Sequence, residues 1–125
     1  PINLINPTKQ ICDALSKKYP GTPIIGFPRG AGSRLISYTK KTGIQGVGID
    51  YASDIQFLRQ HISIPIQGNL DPLALLAGGD ALDRACDILV SQTKEHPHIF
   101  NLGHGILPAT PIEHVHHMIN RLKGQ

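Results

Sequence analysis

The residues with the clearest capacity for chemistry lie where the apolar run Ile99-Phe100-Asn101-Leu102 breaks into Gly103-His104-Gly105. A strand that ends in a glycine-bracketed histidine holds a titratable ring at its carboxyl end, where α/β proteins keep their chemistry. Asp50 closes a second such run, Gly46-Val47-Gly48-Ile49. A carboxylate there either holds a ligand N–H, organises a neighbouring arginine, or caps the helix that follows. A third run leads into Arg29-Gly30-Ala31-Gly32-Ser33. A glycine-rich turn between strand and helix can cradle an anion, but this one matches neither GxGxxG nor a Walker loop and reads as a tight turn.

The remaining reactive residue types read as structural. Cys12, beside Ile11 and Leu15, and Cys86, beside Leu82, Leu89 and Val90, fall on apolar helical stripes without CxxC or HxxC spacing. They are expected to be buried thiols rather than a disulfide or zinc ligands. His114 and His117 are three apart and could share a metal, but no third ligand is in view, so His114, His116 and His117 are expected to form a solvated face. His61 is placed in solvent near a helix end.

The elements that must position these groups follow from periodicity and caps. Asn6-Pro7 opens a helix that runs to about Lys18, Asn6 serving as N-cap with proline at the first helical position. Residues 23–28 read as a strand buried on both faces, because Ile24-Ile25-Gly26-Phe27 shows no polar alternation. A helix with Leu35, Ile36 and Thr39 inward stops near Gly43. Residues 45–50 form the next strand, with Gly46 and Gly48 leaving room where side chains would crowd a barrel interior. A helix over 53–61 buries Ile55, Leu58 and Ile62, and 64–68 is a further strand. Asp71-Pro72 caps a short helix through Leu76; Gly78-Gly79 breaks it, and an amphipathic helix over 80–95 buries Leu82, Ala85, Cys86, Leu89 and Val90. After the histidine strand, Thr110-Pro111-Ile112-Glu113 reads as a capping box with proline at the first helical position. The helix it opens is expected to bury Ile112, Val115, Ile119 and Leu122.

A helix followed by four strand and helix repeats, without hairpin signals, means right-handed βαβ units and a parallel sheet. Two α/β architectures fit: an open doubly wound sheet or half of a (β/α)8 barrel. At 125 residues the chain is one domain in size, and 40% hydrophobic residues are enough for a core. The net charge of +3 is scattered, which argues against nucleic acid and for a small anionic ligand. No apolar run approaches a membrane span or signal peptide, so the expected location is cytoplasmic. A barrel half leaves two unpaired sheet edges and an uncovered inner face. With no initiating Met before Pro1, the chain is expected to be a piece of a larger protein.

Ile25-Gly26-Phe27-Pro28-Arg29-Gly30, Gly46-Val47-Gly48-Ile49-Asp50, Gln67-Gly68-Asn69-Leu70-Asp71-Pro72 and Asn101-Leu102-Gly103-His104-Gly105-Ile106 with Thr110-Pro111 resemble, in order, the carboxyl-terminal part of uroporphyrinogen decarboxylase. The resemblance covers nearly the whole chain. It implies the carboxyl-terminal half of a TIM-type (β/α)8 barrel, with the family's amino-terminal part absent. It also implies a homodimeric cytoplasmic enzyme of haem biosynthesis that needs no metal or organic cofactor and converts four acetate side chains of uroporphyrinogen to methyls, giving coproporphyrinogen. His104 matches the family's substrate-binding histidine, with the role of hydrogen-bonding a substrate carboxylate or a pyrrole side chain, while Gly103 and Gly105 let the backbone approach. Arg29, Asp50 and Asn69 stand at strand ends as further substrate-binding candidates, Arg29 to face a carboxylate.

Decarboxylation of a pyrrole acetate needs an electron sink, which protonation of the ring carbon supplies within the substrate. The protein then has to hold carboxylates, stabilise a cationic ring and manage protons. The family's amino-terminal arginine motif and the aspartate that grips the pyrrole nitrogens match nothing in this chain, so it is not expected to turn over substrate alone. Two alternatives stay open. One is a corrinoid-dependent methyltransferase of the same superfamily, with a zinc site built from His and Cys; the other is a non-catalytic fragment that self-associates.

Overall fold

The computed structural model describes residues 4–124. Six α-helices alternate with four short strands among them: α1 (Ile5–Lys18), β1 (Ile25–Gly26), α2 (Leu35–Thr42), β2 (Gly46–Gly48), α3 (Ile55–Arg59), β3 (Ile66–Gln67), α4 (Pro72–Ala77), α5 (Gly79–Thr93), β4 (His98–Ile99) and α6 (Ile112–Lys123). A 3-10 turn over Gly32–Arg34 leads into α2.

The strands are all parallel and lie in chain order, β1-β2-β3-β4. A doubly wound sheet reverses its order at a switch point, which sends helices to both faces. Here the order never reverses, so right-handed crossovers leave every helix on one side. This is the arc of a TIM-type (β/α)8 barrel, four of its β/α units. Val47 and Ile66 face the helices and are 0% exposed, packed with Leu75, Leu82 and Cys86. The opposite face is open: Ile25, Phe27 and Ile99 are 44%, 49% and 44% exposed. The first strand, expected to be buried on both faces, is therefore exposed on this face and only half-buried on its helix side, at Ile24 and Gly26. Ile25 and Phe27 lie over β2, where a Cβ on Gly46 would stand 3.2 Å from Ile25 and one on Gly48 would stand 3.0 Å from the Phe27 ring. The two glycines make the room expected of them.

Local signals set most boundaries. Gly43, at φ 80°, ends α2 in the left-handed conformation. Asp71 caps α4 by accepting from Leu73 N at 2.8 Å, with Pro72 at the helix start. Three expectations shift. Helix α1 begins at Ile5 with Leu4 as N-cap and no side-chain cap, so Pro7 falls inside the first turn, where its missing N–H leaves no helical bond unmade. Helix α3 begins at Ile55 rather than at Ser53, and Asp54 rather than Asp50 caps it, accepting from Phe57 N. At α6 the N-cap is Pro111, and the Thr110 hydroxyl is buried without a partner among the described residues, so the capping box does not form.

Helix α6 is also rotated from its expected stripe. Ile112 and Ile119 are exposed, and Val115, Met118 and Leu122 pack on the core. The neighbours of α6 are α4 and α5, and polar anchors fix its rotation. His114 Nδ1 meets Leu75 O at 3.0 Å, His117 meets Asp83 at 2.6 Å, and Arg121 forks onto Asp87 while also reaching Asp83. His114 is thus half-buried and turned inward instead of belonging to a solvated face; His116 is exposed as expected.

Candidate functional site

Because the strands run parallel, all four end on one rim. The chain leaving β4 stays paired with the chain leaving β3 beyond the strands themselves. Leu70 N donates to Asn101 O at 3.0 Å, Leu70 and Leu102 form a parallel bridge, and Gly103 N donates to Leu70 O at 2.7 Å. This extension carries His104 to the rim. Gly103 is buried because the backbone of Tyr51 presses against it: a Cβ there would come within 2.6 Å of Tyr51 Cα. The close approach expected at Gly103 is therefore one between two segments of this chain. Gly105 has open space around it.

His104 lines a cleft of about 230 Å³. Phe27, Gly48, Ile49, Gln67, Asn101 and Leu102 line it with His104. The imidazole is exposed and makes no hydrogen bond with any described residue, so both ring nitrogens are free to meet a ligand. Gln67 is half-buried, between Gly48 and Ile99 in the register. Sequence reasoning passed over Gln67, Asn101 and Phe27; the signal that could have found them is the parallel register, which puts Phe27, Gly48, Gln67 and Ile99 at one level of the open face.

Asp50 stands elsewhere on the rim. Its Oδ2 accepts from Gly30 N at 2.9 Å and its Oδ1 from the Ser53 hydroxyl at 2.9 Å. Burial alone would raise its pKa, but the hydrogen bonds from Gly30, Ser53 and Ala52 outweigh it and hold the carboxyl below its ordinary value. Asp50 thus ties the turn after β1 to the loop before α3, beside a hollow lined by Gly30, Ser33 and Phe57. Asn69 completes this lock, donating from Nδ2 to Asp50 O at 3.0 Å and to Ser53 O at 2.9 Å. Arg29 is exposed, makes no ion pair with a described residue and does not line the His104 cleft. Of the four sequence candidates, His104 faces the cleft, Asp50 and Asn69 engage each other, and Arg29 stands apart.

Cys12 and Cys86 are free and buried in the helix layer, and burial raises both thiol pKa values. His114 and His117 point at different partners, Leu75 O and Asp83. No group of three or more His, Cys, Asp or Glu among the described residues could hold a metal ion.

The chain matches the family described as uroporphyrinogen decarboxylase (URO-D) over residues 4–125. It is 47% identical over 123 residues to the uroporphyrinogen decarboxylase of Sphingopyxis alaskensis, covering 97% of this chain and 36% of that protein. It is 45% identical over 123 residues to that of Rhizorhabdus wittichii, with coverage of 97% and 36%. Against that of Granulibacter bethesdensis it is 47% identical over 119 residues, with coverage of 94% and 35%. The chain spans about a third of the length of the curated relatives it matches.

Proposed function

The chain belongs to the uroporphyrinogen decarboxylase family, and from this we propose that it is the carboxyl-terminal part of an enzyme that decarboxylates the acetate side chains of uroporphyrinogen to give coproporphyrinogen. The observation that carries the reading is an imidazole without a partner among the described residues, held at the barrel rim over a cleft by the backbone pairing of the residues just before it. In the reaction, a pyrrole carbon takes up a proton, and the ring accepts the electron pair as the acetate C–C bond breaks with loss of CO2. The methylene carbon left behind then takes up a proton while the ring carbon gives its own back, leaving a methyl group. His104 donates a hydrogen bond to a substrate carboxylate and so fixes the macrocycle on the open face, above Phe27. A preorganised donor at such a position favours the charged species without reorganising during reaction.

No helix among the described residues is long and apolar enough to cross a membrane. On this reading the complete protein works in the cytoplasm as a homodimer, without a resident metal or organic cofactor, and its other barrel units cover the open face.

The test is a chimera in which residues 1–125 replace the matching segment of the Sphingopyxis alaskensis enzyme. It is expected to form coproporphyrinogen. A hydrogen bond to a charged group contributes about 1.5–3 kcal/mol, so His104→Ala should lower kcat/KM roughly 10- to 100-fold. The exposure of His104 implies an unchanged melting temperature. An inactive parent chimera would overturn the enzyme reading, and an unaffected His104→Ala would remove the histidine from the site. Stoichiometric zinc in the purified chimera would favour the methyltransferase alternative, whose thiolate ligand neither Cys12 nor Cys86 supplies at the rim.

A further inference from the structure

The geometry points to Gln67 and Asn101 as carboxamide donors that hold, together with His104, one side-chain carboxylate of the substrate; this rests on the decarboxylase reading and extends it to specific contacts. The cleft brings several uncommitted side-chain donors together. The oxygen of the Asn101 side chain already accepts from Leu102 N at 2.8 Å, which fixes the amide and leaves Nδ2 as its unengaged end. Gln67 makes no side-chain hydrogen bond with any described residue and lines the same cleft. Two backbone carbonyls beside these side chains are engaged in the ladder: Gln67 O accepts from Ile49 N at 2.9 Å and Asn101 O from Leu70 N at 3.0 Å.

Among the described residues the cleft thus keeps three side chains with a donor to offer: Asn101 through Nδ2, Gln67 through Nε2 and His104 through a ring N–H. A group that carries only acceptors is its complement, and a carboxylate offers about four lone-pair sites. Among the described residues no acidic side chain lines the cleft, a setting that suits an anion. The size of the cleft, about 230 Å³, lies below the roughly 300–1,000 Å³ that encloses a drug-sized ligand. It fits a side arm of the macrocycle and not the macrocycle itself. Two of the three donors are neutral at every pH, so they hold the carboxylate by geometry rather than by charge.

The variants Asn101→Asp and Gln67→Glu, made in the chimera, test this. Asn101→Asp keeps an oxygen for Leu102 N and exchanges only the free donor for an anionic acceptor. At pH 7 each variant is expected to raise KM for uroporphyrinogen at least tenfold, with kcat changed less than threefold. Relative to the parent at each pH, the defect should shrink as the medium is acidified and the introduced carboxyl takes up a proton. If a charged variant fails to fold, Gln67→Met removes the donors at similar size and should raise KM three- to tenfold. Unchanged KM, or a loss confined to kcat that ignores pH, would overturn the assignment while the active parent keeps the decarboxylase reading. A parent that forms no coproporphyrinogen would overturn both.

Discussion

The two glycines that flank His104 should respond oppositely to the same substitution. A methyl group on Gly103 would meet the backbone of Tyr51, with Tyr51 N, Cα at 2.6 Å and Cβ at 2.8 Å all inside contact distance. Carbon atoms prefer about 3.5–4.0 Å, and the atoms in the way are main chain, which no rotamer change removes. Retreat is blocked on the other side, because Gly103 N is bonded to Leu70 O at 2.7 Å. Overpacking of this kind costs about 1–3 kcal/mol, and a weakened backbone hydrogen bond adds about 1 kcal/mol. Gly103→Ala should therefore destabilise the fold by roughly 2–4 kcal/mol, a shift of the melting temperature on the order of 10 °C. Gly105 has nothing within 4 Å of its would-be Cβ, so Gly105→Ala should stay within about 0.5 kcal/mol. Urea and thermal unfolding of the purified variants measure both. In the chimera, Gly103→Ala should also depress turnover about 100-fold if it moves His104 by an ångström. Equal melting temperatures for the two variants would refute the view that Gly103 is the fixed point from which the histidine hangs.

Two further outcomes follow from burial. His98 is half-buried, with Nε2 against Gly68 O; burial lowers its pKa below 6.5, and nearby Arg59 adds to the effect. The folded chain then binds fewer protons than the unfolded one, so this contribution to stability is intact above pH 6.5 and is lost as pH falls. Urea midpoints should decline on acidification below that value, and His98→Gln should flatten the decline; a midpoint that rises on acidification would contradict it. The open face, with Ile25, Phe27 and Ile99 each more than two-fifths exposed beside an edge strand, should make the isolated 125-residue chain self-associate in size-exclusion chromatography. Phe27→Ser with Ile99→Ser should shift it toward monomer; a compact monomeric parent would count against an exposed barrel interior.

Sequence patterning revealed the architecture because βα alternation is written locally. Turn glycines, Asp71-Pro72 and apolar runs each declare an element without reference to the rest of the chain. The choice between a doubly wound sheet and a barrel arc is not local, since it depends on the side to which each crossover goes; the family resemblance and the strand order settle it. The errors lie where tertiary contacts override periodicity. Ile112 and Ile119 mark an apolar stripe on α6, yet the pairing of Arg121 and His117 with acidic residues of α5 turns another face inward. Thr110 and Glu113 have capping-box spacing, but Pro111 occupies the N-cap instead.

At the rim, strand-end position alone did not separate ligand-facing groups from scaffold. Asp50, Asn69 and His104 all follow strands, and their difference lies in hydrogen-bond accounting. Asp50 accepts from a backbone N–H and a hydroxyl, and Asn69 Nδ2 donates to two carbonyls. A polar group satisfied in this way has little left to offer a ligand and much to offer rigidity. Their lock joins the turns after β1, β2 and β3, so it holds the rim on which the unsatisfied groups stand. Gln67, Asn101 and His104 keep donors without partners among the described residues, a state that solvent tolerates and that leaves them able to meet a ligand. Disrupting Asp50 should therefore act on substrate handling only through the shape of the rim, whereas disrupting His104 acts at the contact itself.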